Sequence, residues 1–145
     1  DGNLRAMLEL LTDEQRTHIV VQHHIPEIVD GDKRIILIEG EPVGWMARVP
    51  QPGDHRGNMH VGAKVAGFDL SERDREICAA IGPFLKQRGL LFVGIDIIGR
   101  FMTEINVTSP TGIQEVNPLQ GLTVERTLSD AIVRALEQHR AGESP

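Results

Sequence analysis

The sequence predicts an α+β domain, an antiparallel sheet covered by helices. Short apolar runs come in adjacent pairs joined by glycine-bearing turns, Arg34–Ile38 with Val43–Val49 and Leu90–Ile98 with Phe101–Val107. Two further stretches, one opening at Ser71 and one from about Thr127 to His139, carry apolar residues at helical spacing. No G-x-G-x-x-G or Walker A sequence is present, and hairpins outnumber crossovers, which argues against a doubly wound parallel sheet.

In chain order, Leu4 to Leu11 reads as a short amphipathic helix. It begins almost at the first residue, which suggests a piece of something longer. Thr17 to His23 (THIVVQH) reads as a strand, and the Ile25-Pro26-Glu27-Ile28 run leaves it. The first hairpin turns at Glu39-Gly40-Glu41-Pro42. Val49 to Gly67 is rich in glycine, proline and polar residues without period, and its length predicts a mobile lid. Ser71 with Asp74 three residues on resembles a capping box, and Ile77, Ala80, Ile81, Phe84 and Leu85 supply the apolar face. Pro83 should bend this helix slightly and Gly89 ends it. After the second hairpin, which turns at Gly99, the last helix rests on Leu128, Ile132, Val133 and Leu136, and the tail from Ala141 to Pro145 frays.

A chain of 145 residues with 40% hydrophobic content forms one domain with a real core. Its net charge of -6 argues against a nucleic-acid or membrane-surface partner. One cysteine, Cys78, excludes an internal disulfide; it reads as a small buried apolar residue, and the cytoplasm is the expected compartment.

The chemistry concentrates in Gly94-Ile95-Asp96-Ile97-Ile98 and in Thr103-Glu104-Ile105-Asn106. Asp96 interrupts an apolar strand and needs a compensating partner, either a cation or an arginine. Glu104 and Asn106 are two apart and share a face. Three oxygen donors without His or Cys suit Mg²⁺ or Mn²⁺ and not zinc. Register decides whether the three meet. A two-residue turn of Gly99 and Arg100 would pair Ile98 with Phe101, set Asp96 opposite Thr103, and leave Glu104 on the other face. A shared site requires Asp96 opposite Glu104. That follows if Ile98 pairs with Met102 across a three-residue connection, or from an equivalent bulge, and it places Ile98 and Met102 on the site face as well.

Arg34, Arg48 and Arg56 are candidates for phosphate or carboxylate recognition, although each taken singly reads more readily as a solvated charge. Asp32 and Lys33 read as solvent-facing or paired with each other. His23 and His24 lack a third ligand at metal spacing and line a pocket or the structure.

The runs DGDKR (Asp30–Arg34), GEPV (Gly40–Val43), RGN (Arg56–Asn58), GLLFVGIDIIG and TEINVTSPTGI closely resemble the prokaryotic glutathione synthetase family of the ATP-grasp superfamily, over about Asp1 to His139. The resemblance implies ATP held between two antiparallel sheets, with Mg²⁺ or Mn²⁺ bridging its phosphates. It implies phosphorylation of the γ-glutamylcysteine carboxylate and attack by the glycine amine, giving glutathione, ADP and phosphate. By position, Asp96, Glu104 and Asn106 match metal ligands; Gln22, His24 and Ile25 an adenine-contacting strand; Asp32 the ribose; and Arg34 the triphosphate. Arg48 and Arg56 match catalytic positions, with Arg56, Gly57 and Asn58 in the lid over the acyl phosphate and glycine. Residues 1–145 then form the carboxyl-terminal part of an ATP-grasp domain, with a lid at about 49–67 and no amino-terminal substrate domain. The piece is expected to be inactive alone, and the full-length protein to be a homo-oligomer. His24 stands where an aromatic residue is familiar, and NMHVGAK where family members carry more glycine. The competing readings are another ATP-grasp carboxylate–amine ligase and a non-catalytic binding or oligomerisation module.

Overall fold

Residues 3–50 and 64–142 are described by the computed structural model. Strands β1 (Asp32–Ile38), β2 (Glu41–Val49), β3 (Lys64–Ala66), β4 (Phe92–Ile98) and β5 (Phe101–Asn106) form one sheet in the order β3-β2-β1-β4-β5. Every pairing is antiparallel, as expected of a sheet built from hairpins. Helix α1 (Leu4–Leu11) precedes it, α2 (Glu72–Gln87) joins β3 to β4, and α3 (Ile113–Gln120) and α4 (Val124–Gly142) follow β5.

Strand alternation divides the core between the two faces of the sheet. Ile35, Leu37, Val93, Ile95 and Ile97 pack with Ile77, Cys78, Ile81 and Leu85 of α2. Ile36, Ile38 and Met46 pack on the other face with Val116 of α3 and Val124 and Ala131 of α4. Helix α2 begins on the expected capping box, Ser71 and Asp74 bonding reciprocally, and Asp74 also accepts both contacts from Lys33 Nζ at 2.8 Å. The helix is thereby bolted to β1. Burial, and secondarily the Asp74 charge, push the Cys78 thiol up to about 11, so it is a core residue as expected.

Several expectations are corrected. Thr17–His23 forms no strand: it opens on a bend at Thr17, has no ladder partner among the described residues, and leaves Val20 and Val21 exposed. The first hairpin turns on Glu39 and Gly40 alone, both at positive φ, with a register shift between Ile36 and Leu37. The ends of the expected lid are strand: Val49 pairs with Lys64 and Arg48 with Val65, while residues 51–63 lie outside the described residues. Helix α3 was not anticipated, and α4 starts at Val124 and runs through Gly142. No helix among the described residues is long and apolar enough to cross a membrane.

Candidate functional site

Beyond the apolar half covered by α3 and α4, the same sheet face carries charge. Asp32 and Arg34 of β1, Arg48 of β2 and Asp96 of β4 are all buried there. The register makes them neighbours, because Asp32 pairs with Arg48 and Arg34 with Asp96. Arg34 grips Asp96 with two parallel bonds, Nε to Oδ1 at 2.5 Å and Nη2 to Oδ2 at 2.9 Å. Its Nη1 donates to the Thr111 carbonyl at 3.0 Å, tying the segment before α3 to the cluster. Arg48 holds Asp32 with Nε at 2.9 Å and with Nη2, and the same Nη2 lies 3.0 Å from Asp96 Oδ2. Gly94 makes the close packing possible, since a Cβ there would meet Pro110 Cβ at 2.9 Å and Arg34 Nη1 at 3.3 Å.

Asp96 stays charged in this buried setting. Burial pushes the Asp96 carboxyl upward, but the hydrogen bonds and charges of Arg34 and then Arg48 outweigh it and hold its pKa below the ordinary value. Burial likewise opposes the charged form of Arg48, and Asp32 and Asp96 more than offset it.

Asp96 sits directly opposite Glu104, and Asn106 opposite Gly94. The shared register expected from the sequence is therefore present. It is reached through the bulge alternative: Ile98 pairs with Phe101 across a tight turn, Ile97 with Met102, and the register shifts between Asp96 and Ile97. Met102 accordingly takes the face of Ile97 rather than the site face, which corrects that part of the expectation. Glu104 is exposed and Asn106 half-buried. The Asn106 Nδ2 is buried without a hydrogen-bond partner among the described residues. An amide can be turned over with no change of shape, and the turned amide offers a carbonyl oxygen at that buried point.

No three His, Cys, Asp or Glu side chains cluster for a metal among the described residues. A cation here would draw on the carboxylate pair and the Asn106 amide. Asp96 has roughly four lone-pair positions, and the arginines occupy one on Oδ1 and two on Oδ2. It can give a cation one bond. Together with an exposed carboxylate and an amide oxygen, this set fits a hard cation whose other ligands are water and phosphate oxygens.

Gln22, His24 and Ile25 line a pocket of about 470 Å³ against Ile98, Met102 and Thr103 at the turn end of β4 and β5. They are thus brought beside the charged cluster's strands but not into the cluster. Asp32 and Lys33 are not paired with each other: Asp32 bonds Arg48 and Lys33 bonds Asp74 on the opposite face. Arg56, Gly57 and Asn58 lie outside the described residues. Thr103, Thr111 and Gly94 were missed as site residues, although a glycine inside the apolar run of β4 is a signal of close approach.

The family described as prokaryotic glutathione synthetase, ATP-grasp domain, matches residues 1–121. The chain is 49% identical over 137 residues to a glutathione synthetase of Synechococcus elongatus, covering 94% of this chain and 41% of that protein. It is 51% identical over 132 residues to one of Mesorhizobium japonicum, covering 91% and 42%. It is 50% identical over 137 residues to one of Pseudomonas aeruginosa, covering 94% and 43%. The chain thus spans about two fifths of the length of the curated relatives it matches.

Proposed function

Because the chain belongs to the prokaryotic glutathione synthetase family, within its ATP-grasp domain, we propose that it forms the metal- and triphosphate-binding part of a glutathione synthetase. The observation that carries this reading is Asp96 facing Glu104 across β4 and β5, beside the buried Asn106 Nδ2, which has no hydrogen-bond partner among the described residues. Asp96, Glu104 and Asn106 would hold Mg²⁺ or Mn²⁺. When bound, the ion neutralises charge on the phosphate oxygens of ATP.

The chain's own residues supply positioning and charge. The fork of Arg34 fixes the Asp96 carboxylate, so that its remaining lone pair has one direction. Asp32 and Asp96 hold the second guanidinium, that of Arg48, in place beside it. Both guanidiniums, paired with Asp32 and Asp96, lie on the face that a triphosphate and an acyl phosphate would approach. Gln22, His24 and Ile25, lining the adjoining pocket, suit the adenine end of the nucleotide. Arg56, Gly57 and Asn58 complete the reading as the closing segment, on resemblance alone.

The reaction is ligation of glycine to γ-glutamylcysteine. A carboxylate resists attack because oxide is a poor leaving group. Transfer of the γ-phosphoryl group to a carboxylate oxygen forms an acyl phosphate and ADP. The glycine amine then forms the C–N bond as phosphate departs. A buried free thiol suits a reducing compartment, and the cytoplasm is the one we infer; a homo-oligomer belongs to the same reading by resemblance.

The test is ADP release by the full-length protein with ATP, Mg²⁺, γ-glutamylcysteine and glycine. Turnover should require both co-substrates and fall at least ~100-fold in Glu104→Gln, as for loss of a group that stabilises transition-state charge. Turnover that instead requires a different carboxylate or amine would assign the chain to another ligase. Unchanged turnover in Glu104→Gln would remove the metal site.

A further inference from the structure

We propose that Thr103 is a positioning residue for the Asp96–Glu104 pair, acting through a β-bulge that its hydroxyl holds in place. The inference rests on the metal reading given above. Two local demands on β5 conflict by one residue. At the turn end, Gly99 at a φ of 57° starts a tight turn that pairs Ile98 with Phe101 and Ile97 with Met102. Continued regularly, that register would set Thr103 opposite Asp96 and Glu104 opposite Ile95, on the face covered by α2. At the far end, Ile105 pairs with the fully buried Ile95. The regular register would exchange it for Glu104 on that face and turn Ile105 toward the charged cluster. Both exchanges are unfavourable, since one turns an apolar side chain toward charge and the other brings a carboxylate beside the fully buried Ile95.

The register shift between Asp96 and Ile97 reconciles the two ends, and Thr103 is the residue left without a partner. Its side chain is not idle. Thr103 Oγ1 donates to the backbone carbonyl of Asp96 at 3.2 Å. The surplus residue is therefore tied to the same Asp96 whose carboxylate faces Glu104. Bulges increase local twist and re-aim neighbouring side chains, so the set of this one fixes how Glu104 stands relative to Asp96. A β-branched residue without the hydroxyl would keep the strand but lose the tie.

The experiment is Mn²⁺ titration of the full-length protein with saturating ADP, following the free ion by electron paramagnetic resonance. Thr103→Val should weaken Mn²⁺ binding ~3- to 10-fold, the loss expected of one neutral hydrogen bond. Thr103→Ala, which adds no bulk, should match it. Thr103→Ser should restore binding to within about twofold, and Glu104→Gln should weaken it more than either hydroxyl-less variant. Wild-type binding in Glu104→Gln would overturn the metal reading and this inference with it. Weakened binding in Glu104→Gln but wild-type binding in both Thr103→Val and Thr103→Ala would overturn this inference alone. So would equal weakening in Thr103→Ser and Thr103→Val, because the hydroxyl would then not be the cause.

Discussion

Replacing Asp74 tests whether α2 is fixed to the sheet by charge as well as by apolar packing. The carboxylate is fully buried and accepts from Lys33 Nζ at 2.8 Å, Ser71 Oγ at 2.7 Å and Ser71 N at 3.0 Å. Asp74→Ala removes half of a capping box, about 1 kcal/mol, and strands the Lys33 ammonium. Losing one partner of a buried pair typically costs about 3–5 kcal/mol. The Lys33 side chain keeps 26% exposure, so water can recover part of that loss, and a total of about 3 kcal/mol is expected. The double variant Lys33→Met with Asp74→Ala should be less destabilised than the two single effects sum to, by about 1–2 kcal/mol. Burial raises the Asp74 pKa, but the Lys33 and Ser71 hydrogen bonds outweigh it and leave the folded value below the ordinary one. The unfolded chain therefore binds the proton more readily. The stabilisation is fully present above the unfolded pKa of about 4 and is lost as pH falls through the folded one. Urea unfolding of the full-length protein, both single variants and the double variant, followed by circular dichroism at pH 7 and below pH 4, measures this. A variant as stable as wild type, or a difference that widens on acidification, would refute the reasoning.

Asp96→Asn should cost about 3–5 kcal/mol, because it leaves two buried guanidiniums short of charge, whereas exposed Glu104→Gln should stay within about 1 kcal/mol; thermal unfolding of the two variants separates anchor from ligand. Gly94→Ala should destabilise by about 1–3 kcal/mol by pressing a methyl against Pro110 and Arg34, and the same unfolding assay reads it.

The elements legible in the sequence were those whose signal is local. The capping box of α2, the apolar runs of β1 and β4, and glycines at positive φ beside the hairpin turns each announce themselves within a few residues. Thr17–His23 carries β-forming residues too, but a strand is made by a partner, and none lies beside it among the described residues. Helix α3 escaped notice because a proline, Pro118, sits inside so short a helix, and fully buried Val116 is its one deep anchor. Asp32 and Lys33 were misread for a reason that the pleat makes plain. Neighbours in a strand point to opposite faces, so one met Arg48 and the other Asp74.

The site was legible to the same depth. Parity required Asp96 and Glu104 to face each other if they act together, and the bulge supplies that register. What parity could not decide was the partner of Asp96, for which arginine and cation were open alternatives. The structure gives Asp96 two arginines, yet this does not close the other alternative. The buried cluster sets two guanidiniums against two carboxylates and is formally neutral, so Glu104 stands beside it as an exposed charge with no ion-pair partner among the described residues. The arginines leave one lone pair on Asp96 Oδ1, a count that depends on both atoms of the Arg34 fork being engaged. Without the arginines, a bare Asp96 in this apolar strand would tend to take up a proton and offer a neutral, weaker donor. The pairing that competes with a cation for Asp96 is thus also what keeps Asp96 ionised enough to bind one.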